Sequence, residues 1–81
     1  MPRVEAAHLR AAATHGRVAV VHEEAAQLFD GMGLRSLARD ERARARLDRD
    51  GAATERGYAA GGMLRAWLSA HARLARVVTS V

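Results

Sequence analysis

The sequence predicts an all-α protein: an antiparallel helical hairpin with a third, C-terminal helix, assembled as a dimeric helical bundle. Three observations point there. Ala contributes 19 of 81 residues and Arg all 13 basic ones, while Ile is absent and Phe, Trp and Tyr occur once each. Strong helix formers therefore dominate and strand formers are scarce. Apolar residues recur at three- and four-residue offsets, the signature of one helix face. Paired glycines at Gly31/Gly33 and Gly61/Gly62 divide the chain into three segments. An 81-residue chain is one domain at most, and a thin core is expected at this size.

The first helix is expected over about residues 3–29. Read with a period of seven, Val4, Ala11, Val18, Ala25 and Met32 form one column and Ala7, Thr14, Val21 and Leu28 a second. His8, His15, His22 and Phe29 form a third beside them, with Glu5, Glu23 and Gln27 on the opposite face. Pro2 suits a first helical turn, where its missing N–H is not needed. Asp30-Gly31-Met32-Gly33 offers left-handed positions for a tight reversal.

The second helix is expected over about 34–57, with Ser36 as a candidate N-cap. Ala38, Ala45, Ala52 and Ala59 form one column and Glu41, Asp48 and Glu55 another. The alanines would let a neighbouring backbone come close. Gly51 marks a candidate break. Folded about the Gly31–Gly33 turn, facing residues share an index sum of 63, so His22 meets Glu41, His15 meets Asp48 and His8 meets Glu55. In that register Ala25 lies by Ala38, Val18 by Ala45, Ala11 by Ala52 and Val4 by Ala59. The third helix is expected over about 62–79. Its stripe of Leu64, Trp67, Leu68, His71, Leu74 and Val78 is a candidate dimer interface, since one Ala-lined hairpin has little to bury and two-fold dimers are the commonest assemblies.

The His ladder reads first as a structural seam of imidazoles facing carboxylates, with pH sensing or metal binding as alternatives. Neighbouring rungs are about 10.5 Å apart along a helix, too far to share one metal at about 2.1 Å ligand distances. A metal would need ligands from helix 2 and a second chain; no metal or cofactor is expected. A facing carboxylate favours the imidazolium, so the hairpin is expected to be more stable near pH 6 than near pH 8. Arg35, Arg39, Arg42, Arg46 and Arg49 form a basic stripe able to contact an anion or a nucleic-acid backbone. Asp40, Glu41, Asp48 and Asp50 lie among them as candidate i,i+4 partners. No aromatics interleave to stack bases, so a solvated, salt-bridged face is favoured.

Cysteine is absent, which excludes disulfides and thiolate chemistry. No apolar run reaches bilayer length and no signal-peptide core follows Met1, so a cytoplasmic, non-membrane protein is expected. Ser36, Ser69 and Ser80 lack a nucleophile framework, and no enzyme mechanism assembles. The function expected is a non-enzymatic protein–protein interaction or assembly module, homo-oligomeric and with dimer favoured. Nucleic-acid binding through the Arg stripe is the alternative, and a His/carboxylate metal-binding dimeric bundle the second.

The run from His15 to Gly33, followed by Glu41-Arg-Ala-Arg-Ala and Asp48-Arg-Asp-Gly-Ala, resembles small Ala/Arg-rich uncharacterised proteins of actinobacteria with His-x-x-Ala-Ala heptads. The likeness spans about residues 8–56 and implies a helical hairpin, with no activity attached. A weaker likeness is to the hairpins exported by type VII secretion systems. It departs from them in lacking Trp-x-Gly at the turn, and Trp67 falls in the last segment.

Overall fold

The computed structural model describes residues 3–72 and 76. Two long helices, α1 (Arg3–Gly31) and α2 (Arg35–Ala70), pack against each other as a hairpin. The principal extents are 66 × 25 × 11 Å, a rod two helices wide.

The reversal is compact because glycine stands where the chain needs it. Gly33 has φ of +76°, a left-handed conformation that side chains disfavour. Around it, Leu34 N–H donates to Phe29 C=O (2.8 Å) and Gly33 N–H donates to Asp30 C=O (3.0 Å). This nested pair is a Schellman motif, with Leu34 and Phe29 at the positions where an apolar contact usually accompanies it. Leu34 then serves as the N-cap of α2 without a side-chain bond, and its carbonyl accepts from Ala38 N–H (3.1 Å). Ser36 is therefore inside the helix and is not the cap expected of it, because the motif hands the chain directly from one helix to the next.

The expected third helix is not seen. α2 runs without interruption through Gly51, Gly57, Gly61 and Gly62 to Ala70. A helical glycine costs about 1 kcal/mol relative to alanine, which weakens a helix without ending it. Two of these glycines sit where another side chain needs their space. A side-chain carbon at position 51 would lie 3.2–3.3 Å from the His15 ring, and one at position 62 would overlap the Glu5 carboxyl group. Gly51 and Gly62, read as breaks, are close-approach sites. Leu74 and Val78 of the expected third helix lie outside the described residues, as does Pro2.

The core is alanine. Ala12, Ala19 and Ala26 of α1 and Ala38, Ala45, Ala52 and Ala59 of α2 are the buried apolar residues, and no large side chain is fully buried. The α2 column is the one expected; the α1 column is displaced by one residue. The buried α1 column is Ala12, Ala19 and Ala26, in place of the expected Ala11, Val18 and Ala25. Glu5, expected on the opposite face, continues that column in place of Val4 and is buried, its carboxyl against Gly62. Both columns flank the histidines, so the choice between them is steric. Val18 and Val4 are 38% and 64% exposed; placed between the helices, their branched side chains would hold the backbones apart.

Gly16 has nothing within 4 Å of an added side-chain carbon, so Gly16→Ala is expected to stabilise the hairpin by about 1 kcal/mol. Gly33→Ala is expected to cost about 1 kcal/mol, because alanine must adopt the left-handed conformation. Urea unfolding followed by ellipticity at 222 nm checks both signs.

A candidate functional site: the histidine–carboxylate seam

The seam alternates layers of small residues with layers of one imidazole and one carboxylate. His8 Nδ1–H donates to Glu55 Oε2, His15 Nδ1–H to Asp48 Oδ1 (3.0 Å) and His22 Nδ1–H to Glu41 Oε2 (2.5 Å). These are the three pairs that the index sum of 63 requires. Alanine sets this up: with methyl groups in the intervening layers, the helices come close enough for an imidazole to reach across. The rungs are half-buried, with Glu41 the most sheltered of the acids.

The rungs are not identical. His22 lies between two acids, its Nε2 being 3.7 Å from Asp48 Oδ2. The His15 ring fills the space left by Gly51. His8 packs a tilted face on Tyr58, with ring centroids 5.3 Å apart. Glu41 holds two partners at once, since Arg44 Nη1–H donates to its Oε1 (2.8 Å). The His22 hydrogen bond, aided by Arg44, holds the Glu41 carboxyl below the usual carboxylate range against the opposing effect of desolvation. One layer offers one imidazole and one acid, and no group of three or more His or acidic side chains converges among the described residues.

Sequence reasoning missed Glu5. Its Oε2 is buried without a hydrogen-bond partner, at the end of the seam beside Gly62. The signal was present: Glu5 begins the column that continues as Ala12, Ala19 and Ala26.

The Arg stripe is partly neutralised, though by different acids from those expected. Arg42 pairs with Asp30 and Arg49 with Glu23, both across the hairpin to α1. The Asp30 hydrogen bond raises the Arg42 guanidinium above its ordinary value. Glu23 and Asp30 lie one position beyond His22 and Phe29, on the edge of the seam where long arginines reach them. Within α2 the one ion pair among the described residues is Arg44–Glu41, at i,i+3 spacing. Arg35, Arg39 and Arg46 form none with a described acid, and Arg46 shares an open groove with Arg42, Arg49, Glu23 and Gln27.

Leu64, Trp67, Leu68 and His71 lie near the C-terminal end of α2. All four are exposed. His71 caps α2, stacks on Trp67 at 4.4 Å and donates its Nδ1–H to the Trp67 carbonyl (2.8 Å). Among the described residues no helix is long and apolar enough to cross a membrane. No known protein family, curated protein or solved structure matches the chain.

A carboxyl group with a lowered titration point stabilises the fold above its unfolded-state value and loses that contribution as pH falls through the lowered one. Glu41 should therefore contribute fully above the ordinary carboxylate value of 4.5, and helicity should fall as the pH drops below it. Glu41→Gln should flatten part of that acid limb in an ellipticity titration. Ala45→Leu should destabilise by about 1–3 kcal/mol, because an overpacked layer forces the helices apart, and should broaden the imidazole signals in NMR spectra.

Proposed function

We propose that the chain is a non-enzymatic assembly module of the cytoplasm, working through protein–protein contact and homo-oligomeric, with a dimer as the favoured form. One observation carries this reading: the hairpin satisfies itself with alanines and polar rungs and leaves its large apolar side chains outside. Leu28, Met32 and Leu47 are each more than two-thirds exposed, and Leu64 and Trp67 more than half. Apolar groups concentrated on the surface of a small protein mark contact surfaces.

A second reading is supported by Arg35, Arg39 and Arg46, which form no ion pair with a described acid. In that reading the stripe follows a phosphate backbone, and binding weakens steeply with salt.

Light scattering on the purified chain should give a mass of at least two chains. A photo-crosslinker placed at Leu64 or Leu68 in cells should yield discrete protein adducts that the same probe at Asp50 does not. A single-chain mass together with no adduct at the apolar positions would overturn the reading. A salt-sensitive gel shift lost in a variant with Arg35, Arg39 and Arg46 changed to Gln would replace it with the nucleic-acid one.

A further inference from the structure

We propose that α1 carries a second seam, on which an identical chain docks antiparallel about a two-fold axis passing between Val18 and Val21. This rests on the assembly reading above and names its partner and its surface. Val4, Val18, Val21, Leu28 and Met32 are all exposed. Together with Ala7, Ala11, Thr14 and Ala25 they recur at three- and four-residue steps over four heptads, with no charged residue among them. That is the pattern of a coiled-coil seam. The hairpin does not use it: α2 packs on the neighbouring column of Glu5, Ala12, Ala19 and Ala26. α1 is thus a helix with two seams, one occupied by α2 and one open.

The occupant follows from area, shape and charge. The chain exposes 6156 Å², whereas a globular monomer of its 8.7 kDa would expose about 4,700 Å². The excess of roughly 1,400 Å² exceeds the ~800 Å² that each partner buries in a standard interface. Antiparallel pairing about the centre of the stripe sets Val18 against Val21, Thr14 against Ala25, Ala11 against Leu28 and Ala7 against Met32. Large side chains meet small ones toward both ends, and the surface is its own complement, as a two-fold interface requires. Arg3, Arg10, Arg17 and Glu24 border the stripe at seven-residue steps. Antiparallel docking sets this flanking column beside its own copy, with Glu24 of each copy two residues from the level of Arg17 of the other.

Because the native chain has no cysteine, introduced thiols report the geometry directly. A Val18→Cys/Val21→Cys chain should oxidise to a covalent dimer far faster than Val20→Cys, whose exposed side chain lies off the stripe. Ala7→Cys and Met32→Cys chains should cross-link with each other when mixed, and neither with itself. Leu28→Glu should halve the mass seen by light scattering while leaving helicity intact. Self-linking of Ala7→Cys, or no advantage of the central thiols over Val20→Cys, overturns the proposal. A two-chain mass with the central thiols unlinked overturns this interface and leaves the assembly reading standing. A single-chain mass with no in-cell adduct ends both.

Discussion

The close approach of two helices across alanine is the constraint on which the structure depends. A methyl group at every second layer brings the backbones near enough for His8, His15 and His22 to reach Glu55, Asp48 and Glu41. The rungs then fix a register that alanine alone would leave free to slip, because methyl layers a heptad apart look alike. Burial of alanine contributes little per residue, and ion pairs on an exposed rim contribute about 0–1 kcal/mol each. Close packing and register-specific hydrogen bonds therefore support one another, and neither suffices alone.

Space is the common thread in the remaining sequence choices. Gly51 yields room to the His15 ring and Gly62 to the Glu5 carboxyl. Glu5 is the exception to full pairing, a buried oxygen without a partner at the open end of the seam. Toward the turn, Phe29 and Leu34 close the other end through the Schellman bonds. The rod thus has a well-satisfied closed end and a less satisfied open one, beyond which α2 continues with Trp67 stacked on its capping His71.

Much of this is legible in the sequence. The turn, the two helices and the three His–acid pairs follow from heptad columns running in opposite directions about Gly31–Gly33. What misleads is hydrophobicity as a guide to the interior. Val4 and Val18 look like core and Ala12 and Ala19 like filler, yet the seam selects for small size. The valine column belongs to a different face of the same helix. Glycine misleads in the same way: Gly61-Gly62 suggests a boundary, but helix continuity is decided by packing on both sides, and Gly62 is required by Glu5. The Arg42 and Arg49 partners were hidden because they depend on which α1 residues flank the seam, and that changes with a one-residue shift of its centre.

The pairing of His8 with Glu55 tests the account most directly, because 47 residues separate them and only the hairpin in this register brings them together. A double-mutant cycle with His8→Ala and Glu55→Ala, read by urea unfolding, should give a coupling of about 0.5–3 kcal/mol, whereas His8 with Glu41 should be additive. Additive His8 and Glu55 effects, or coupling of His8 to Glu41 instead, would contradict the register and with it the alanine seam.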